Sequence, residues 1–453
     1  MSPSPIASVS GIRGIVGQTI SSDFAARMGI KFGSYLGEGA KVAIACDTRT
    51  TSPSLKDSVI SGLIASGSTV YDLGMSSTPS VFKEVQVRKY SGGIVVTASH
   101  NPPEWNGLKF VLAGGRGVFE DEFDQIVNFD GHGAKEEEQE KKKKKNGRLI
   151  RRNAVYIEIL KNKAGTKTAS GVSVALDLAG GVGSLFIPSL LCNQGCSVHT
   201  IHDTPGIFPR IIDPTVDTLK PLRDLVISNK CNIGFAFDCD ADRLVIVDQD
   251  GRKLSGDATL MICLQHFLEN ARNRTVAVSV DTSLAVEELV REYNGRIVYS
   301  KVGEANVARK IIENNCGAGG EGSSGGYIEP AFVMCRDGVY ASTLIVKMIK
   351  SEGSLDTLLT RLNQYHQDRA KLEIDRTRVR SILDALAGSE GGEVDRTDGV
   401  KIRLAEKAWV LLRASNTENV MRISAEARSA QRAMELVDEY SRRTREIENH
   451  LSK

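Results

Sequence analysis

Three aspartates, Asp238, Asp240 and Asp242, stand at i, i+2 and i+4 in FDCDADR, directly after the apolar run NIGFAF. At a strand end that spacing bunches three carboxylates, which unpaired repel one another and raise each other's pKa. A hard divalent cation removes the repulsion, and an all-oxygen donor set suits magnesium. An EF-hand calcium loop fails, because Arg243 stands where its glycine belongs and Gln249 where its glutamate belongs. The bland alternative is a solvated acidic turn paired to Arg243 and Lys253; the apolar strand in front of the aspartates favours the metal.

Three further loops carry dense polar chemistry. TASHNPPEWNGLKF (97–110) follows the apolar run GGIVV. Open α/β sheets bind ligands at the carboxyl ends of their strands, which places Ser99 as a nucleophile or phosphate carrier. There is no GxSxG elbow, so a lipase-like triad fits poorly, and the competing reading is a turn begun by Asn101-Pro102 and capped by Ser99. RASNTENVMRISAEA (413–427) reads as a loop offering Arg413, Ser415, Asn416, Thr417 and Arg422, the ingredients for holding a phosphate; its alternative is a polar hairpin. GAGGEGSSGGYI (317–328) reads as too glycine-rich for packing alone. Glu321, Ser323 and Ser324 within it suggest close approach to a polyhydroxylated ligand, against a mobile loop without function. Neither it nor GGVGS (180–184) is a nucleotide motif: the first lacks GK[ST], and Phe186 takes the place of the third dinucleotide-binding glycine. Together, a phosphate-carrying serine, a magnesium site and a separate phosphate-holding loop describe phosphoryl transfer on a phosphosugar.

The elements that must position these loops alternate between strand and helix. KVAIACDTR (41–49), STVYDLG (68–74), VSVALDLA (172–179), CSVHTIHD (196–203), TVAVSVDTS (275–283) and RIVYSKVG (296–303) read as strands. SLKDSVISGLIASG (54–67), the stretch around 184–194, LAVEELVREYNG (284–295) and EANVARKIIENN (304–315) read as helices. This rhythm implies α/β layers with mainly parallel sheets and three related units. From about residue 370 the pattern changes to successive strands, GVKIRLAEK, AWVLLRAS and MRISAEA. They precede a helix with Ala433, Leu436, Val437 and Tyr440 on one face, an α+β domain.

At 453 residues the chain is about three typical domains long. Hydrophobic residues are 41% and charged residues 25%, ordinary for a globular protein. Lys plus Arg number 58 against 56 acidic residues, a net of +2, which argues against a protein built to grip nucleic acid or an anionic membrane. No apolar stretch approaches the ~20 residues of a membrane span, and the first residues lack a secretory pattern, so the cytoplasm is the expected compartment. The run KEEEQEKKKKK (135–145) reads as a linker or solvated insertion, with Glu137 and Lys141, or Glu140 and Lys144, placed to pair on a helix. The eight cysteines show no CxxC and read as reduced, buried thiols. His199 and His202, three apart on a strand, point to opposite faces, so no zinc site is expected.

The motifs TASHNP with NGLK, DCDADR, GEGSSGG and RASNTE, in that order and after GIRG (11–14), resemble those of the α-D-phosphohexomutase superfamily from Gly11 to about Ala427. The resemblance implies three related α/β domains plus a C-terminal α+β domain around a central active-site cleft. The expected divisions are 1–150 with the phosphoserine loop, 151–254 with the metal loop, 255–369 with the sugar loop and 370–453 with the phosphate loop. It implies that Ser99 carries a phosphoryl group and, with Asp238, Asp240 and Asp242, ligates one magnesium ion per site. Lys109, Arg13, His100 and Arg243 would supply charge and proton transfer. Glu321 with Ser323 or Ser324 would grip sugar hydroxyls, and Arg413, Ser415, Asn416 and Thr417 would hold the other phosphate. The implied activity is interconversion of hexose 1- and 6-phosphates through a 1,6-bisphosphate, which also serves as activator. A small phosphosugar is the expected partner, with neither nucleic acid nor membrane, and the chain a monomer or homodimer.

Departures from the superfamily pattern are also present. Cys239 replaces the glycine of a DGD metal loop, which would narrow the loop or sensitise it to oxidation. The sugar loop lacks a histidine found in GExSGH, Glu304 in KVGEAN stands where some relatives place another, and Asn419 replaces a proline after Thr417-Glu418. KVGEANV, the sugar-loop glycine and EWNGLK resemble the branch labelled phosphoglucosamine mutase, so glucosamine phosphate is the expected substrate. RASNTE also resembles phosphomannomutase/phosphoglucomutase enzymes, the alternative. A non-catalytic phosphosugar-binding paralogue and a metal phosphatase using the same residues are the remaining readings.

Overall fold

The structure is a computed structural model, and it describes residues 5–129, 147–353, 355–375, 377–388, 393–414 and 420–451. The charged run 135–145, with its proposed Glu137–Lys141 and Glu140–Lys144 pairs, lies outside the described residues. The chain forms two compact units, one of residues 1–259 with 324–353 and the other of 260–323 with 354–453.

The first unit holds two sheets. In the larger, the strand order is Ile6–Ser8, Gly11–Ile15, Trp105–Leu112, Gly92–Val96, Lys41–Cys46, Thr69–Met75, Arg148–Arg151, with Arg116–Gly117 pairing the third. The central strand, Lys41–Cys46, is buried on both faces from Val42 onward, and alternate residues share one face. Val42, Ile44 and Cys46 join a core with Met28 and Phe32 of the helix Ser22–Leu36, Val59 and Leu63 of the helix Ser52–Ala65, and Phe123. Each such fully buried aliphatic side chain contributes roughly 1.5–3 kcal/mol. The second sheet runs Ser197–Ile201, Ser173–Asp177, Ile233–Phe237, Leu244–Val247.

The expectation of mainly parallel sheets holds for the inner strands of the α/β sheets but not for the strands that carry the site. Lys41–Cys46 is parallel to both neighbours, and so is Ser173–Asp177. The strands that carry the site are antiparallel returns: Gly92–Val96 into Trp105–Leu112, and Ile233–Phe237 into Leu244–Val247. The reason is connection length, since a short loop joins only antiparallel strands and a parallel pair needs a crossover of about a dozen residues. Both polar loops are therefore hairpin tips.

In the second unit, Thr275–Ser279 pairs in parallel with Arg296–Ser300 and Ala318–Glu321. A separate antiparallel sheet runs His366–Glu373, Val420–Ala427, Ala408–Ala414, Val400–Leu404, Glu393–Asp395. Ala433, Leu436, Val437 and Tyr440 of the helix Ala430–His450 pack into the core beside it. Ser429 caps that helix by accepting the Arg432 N–H at 3.2 Å. Among the described residues no helix is long and apolar enough to cross a membrane.

Candidate active site

Asp238, Asp240 and Asp242 occupy the hairpin tip between Ile233–Phe237 and Leu244–Val247, and all three are fully buried. One oxygen from each lies within 4.8 Å of the others. Backbone contacts fix the loop: Thr78 N–H reaches the Asp240 carbonyl at 3.1 Å, Gly338 N–H that of Asp242 at 3.1 Å, and Val182 N–H that of Cys239 at 2.9 Å. The helix Thr78–Arg88 begins at that contact, and the Thr78 hydroxyl also donates to Asp240 Oδ2 at 2.5 Å, so a helix N-terminus supports the carboxylate.

The three carboxylates do not share one environment. Burial, then the charges of Asp240 and Asp242, push Asp238 well above the usual carboxylate range, and burial with Asp242 raises Asp240. Burial would raise Asp242 as well, but Arg336, Lys109 and Arg243 hold it below that range. Lys109 Nζ lies 2.9 Å from Asp242 and 3.8 Å from Asp240; Arg336 lies 3.1 Å from Asp242. Even so, Asp240 Oδ1 and Asp242 Oδ1 are buried without a hydrogen-bond partner. Orphaned carboxylate oxygens facing a like-charged cluster are what a hard cation satisfies, so the donor set fits a divalent metal. The solvated-turn alternative does not hold, since all three aspartates are buried and Lys253 donates instead to the Thr215 and Asp217 carbonyls; Arg243 divides its charge between Asp213 at 3.0 Å and Asp238 at 4.0 Å.

Ser99 lies at the other hairpin tip and is completely buried. Its hydroxyl donates to Asp238 Oδ2 at 2.8 Å, joining the two loops. Its φ of 51° is left-handed, a conformation an L side chain holds only when its surroundings impose it. The imposing contacts are Thr97, whose hydroxyl accepts the Ser99 N–H at 2.8 Å, and the Arg49 guanidinium, which donates to the Ser99 carbonyl at 2.8 Å. His100 Nδ1 lies 3.3 Å from the Ser99 hydroxyl. Burial, with Arg243 and Arg13 nearby, lowers the pKa of that imidazole to about 2, keeping it neutral. Arg13 donates to the Asn101 side chain at 2.8 Å. Lys109 enters from the return strand, where it faces Val95.

The first unit thus gathers Ser99, His100, Arg13, Lys109, Arg243 and the three aspartates. Ser324 belongs to it too, accepting from Arg336 at 3.1 Å. Glu321, Ser323, Arg413 and Arg422 belong to the second unit. Arg413 and Arg422 are register partners on neighbouring strands, so Arg422 is a strand residue and not part of a loop. Ser415, Asn416 and Thr417 lie outside the described residues.

Two sequence expectations are corrected. Cys239 is not an oxidation-prone residue: it is fully buried and burial pushes its thiol well above the ordinary value, the opposite of a reactive cysteine. The glycines of GEGSSGG are, at two positions, a matter of packing. A Cβ on Gly325, at φ +67°, would fall 2.3 Å from the Leu244 carbonyl, and one on Gly326 2.2 Å from Arg336. GGVGS has the same explanation, because a Cβ on Gly181 would fall 2.6 Å from the Cys239 carbonyl of the acidic loop. Sequence reasoning missed Arg336, Thr78 and Arg49. Only Arg49 carried a signal, at the carboxyl end of the strand Lys41–Cys46.

The chain matches all four domain families of the phosphoglucomutase/phosphomannomutase type: alpha/beta/alpha domain I over 6–133, domain II over 154–251, domain III over 255–365 and the C-terminal domain over 368–442. It belongs to the phosphoglucomutase/phosphomannomutase family. The chain is accordingly a phosphohexomutase, an isomerase that transfers a phosphoryl group. It is 35% identical to a phosphoglucomutase/phosphomannomutase of Thermococcus kodakarensis, the match covering 94% of this chain and 96% of the relative. It is 34% identical to a "Probable phosphoglucosamine mutase" of Methanopyrus kandleri, covering 95% and 96%. A crystal structure of a family protein from Burkholderia thailandensis superposes with a TM-score of 0.86 at 26% identity, covering 98% of each chain.

Proposed function

We propose that this phosphohexomutase interconverts the 1- and 6-phosphates of glucosamine, with Ser99 as phosphoryl carrier. The observation that carries the reading is the Ser99 hydroxyl at 2.8 Å from Asp238, inside a buried carboxylate cluster with two unsatisfied oxygens. A sugar hydroxyl attacks the phosphorus of phospho-Ser99. The bond from phosphorus to the serine oxygen breaks, and the proton given up by the attacking hydroxyl ends on the serine oxygen, regenerating the Ser99 hydroxyl. The bisphosphate so formed reorients and returns its other phosphoryl group to Ser99. Asp238, Asp240, Asp242 and the serine oxygen would hold magnesium, which when bound neutralises charge on the transferring phosphoryl group. Lys109, held against Asp242, and neutral His100, beside the serine oxygen, are the candidate proton carriers; Arg13 and Arg243 add positive charge. Glu321, Ser323 and Ser324 are assigned to sugar hydroxyls, and Arg413, Ser415, Asn416, Thr417 and Arg422 to the phosphate that is not reacting.

Glucosamine is supported by the KVGEANV and EWNGLK wording and by the Methanopyrus kandleri relative. The Thermococcus kodakarensis relative supports glucose or mannose phosphate as the second reading. A mutase assay with magnesium and catalytic hexose 1,6-bisphosphate, comparing glucosamine, glucose and mannose 1-phosphates by kcat/KM, decides between them. The proposal expects glucosamine to lead. A lead for glucose or mannose overturns the sugar assignment, and activity without any bisphosphate or phosphorylated serine overturns the mechanism.

A further inference from the structure

We infer that the tripeptide Asp47-Thr48-Arg49 holds the Ser99 loop in register with the acidic loop, and that Arg49 is a positioning residue for phosphoryl transfer. The inference rests on the reading of Ser99 as phosphoryl carrier.

Arg49 is fully buried, an expensive location for a guanidinium unless it is paired and its donors are used. It is paired with Asp47, Nε to Oδ2 at 3.0 Å. Asp47 is held in turn by the Arg49 N–H at 3.0 Å, the Ser52 hydroxyl at 2.5 Å and the Thr97 hydroxyl at 2.7 Å. The rest of the guanidinium points at one short stretch of main chain. Nη2 donates to the carbonyls of Ser99 at 2.8 Å and Asn101 at 2.7 Å, and Nη1 to that of Pro102 at 2.6 Å. Three carbonyls of a four-residue turn, whose first residue is Ser99 at φ 51°, therefore converge on one buried cation. Only a rigid planar fork serves three such acceptors; a lysine ammonium is a point charge on a flexible stem.

Thr48 makes the connection to the second loop. Its hydroxyl donates to the Gly180 carbonyl at 2.7 Å and lies 3.7 Å from the Cys239 sulfur, within the acidic loop. The next residue, Gly181, packs directly against Cys239. One tripeptide at the end of the strand Lys41–Cys46 thus touches both hairpin tips, one through Arg49 and the other through Thr48. Transfer between Ser99 and a substrate requires the two tips to stay in register, and a displacement of about 1 Å can cost ~10²-fold in rate.

The test compares Arg49→Lys and Thr48→Val with wild type and Ser99→Ala. It measures kcat and KM with glucosamine, glucose and mannose 1-phosphates, magnesium affinity by calorimetry and the thermal midpoint. For Arg49→Lys, kcat should fall ~10²-fold with KM and magnesium affinity within about twofold of wild type, the signature of a misaligned transfer. Thr48→Val, which keeps side-chain volume, should lower kcat about tenfold at unchanged KM. A folded Arg49→Lys with kcat within about threefold of wild type overturns the inference. So does a loss of kcat accompanied by a comparable rise in KM and loss of magnesium affinity, which marks a merely structural arginine. If Arg49→Lys does not fold, Thr48→Val decides by the same criteria. Normal turnover by Ser99→Ala overturns the phosphoserine reading itself, whereas an inert Ser99→Ala beside a normal Arg49→Lys overturns only the role of Arg49.

Discussion

Two buried charge clusters, one in each compact unit, are built from similar side chains and differ in how far they satisfy themselves. In the second unit, Glu426 accepts from the Leu284 N–H at 2.8 Å, Trp409 Nε1 at 3.0 Å and Gln367 at 3.0 Å. Lys401 donates to the Val280 carbonyl at 2.5 Å and lies over the Trp409 ring. Arg403 and the Tyr299 hydroxyl both donate to Glu287. Every one of these groups has a protein partner, and together they fasten the antiparallel sheet to the α/β part of the same unit. In the first unit, three aspartates meet with Lys109 and Arg336 nearby, and two carboxylate oxygens still have no donor. Charge alone does not mark a functional site. A closed network is a joint, and a buried network left open is a place for something the chain does not supply.

The comparison can be broken most sharply at Asp240. Asp240→Asn should weaken magnesium binding by ~10²-fold while making the metal-free protein more stable, because it relieves repulsion at a buried site. Calorimetry and denaturant unfolding read the two effects, and a metal-free protein made less stable would put the acidic loop in the same class as the joint. The pH dependence sharpens this point. Asp238 has its pKa raised in the metal-free fold, so its contribution is present at low pH and is lost as pH rises through that raised value. Stabilisation by magnesium should therefore grow as pH rises from the ordinary carboxylate range through that raised value, as thermal midpoints with and without metal will show.

The joint should behave in the opposite way. Glu426→Ala strands the Leu284, Trp409 and Gln367 donors, among others, and should cost roughly 2–4 kcal/mol in unfolding free energy, with magnesium affinity unchanged. A shift in metal affinity would contradict the separation of the two clusters. Lys401 gives an effect confined to one pH window, with a defined sign. Burial lowers its pKa from 10.5 to about 8, so between those values the unfolded chain holds more protons and stability rises with pH. Relative to Lys401→Met, the wild type should gain on the order of 3 kcal/mol across that window. Urea midpoints at successive pH values test it, and parallel curves for the two proteins would exclude a buried charged lysine. The smallest effect is expected from Cys239→Ala, which removes a buried sulfur beside Thr48 at a cost of about 1–2 kcal/mol and leaves magnesium affinity unchanged.

What was legible in the sequence was what lies next to its own strand. Ser99 and the three aspartates follow apolar runs directly, so strand-end logic reached them, and the α/β and α+β halves followed from periodicity. Periodicity does not encode strand direction, which is why the antiparallel returns carrying both loops were not anticipated. The polar partners were hidden for a different reason. Thr78 reaches Asp240 from 162 residues away and Arg336 reaches Asp242 from 94, and no local pattern announces such pairings. The glycines at 325 and 326 looked like ligand chemistry, yet they mark where main chain and Arg336 come too close for a side chain.

The central claim is that Ser99 passes a phosphoryl group to the sugar within the open cluster. The most direct measurement is a rapid-quench single turnover, mixing protein phosphorylated on Ser99 with glucosamine 1-phosphate and magnesium and following both partners by mass spectrometry. The account predicts that Ser99 loses its phosphoryl group as the sugar bisphosphate appears, in equal amounts and before the 6-phosphate accumulates. A Ser99 phosphoryl group that stays in place while product forms, or one that leaves as inorganic phosphate, would contradict it.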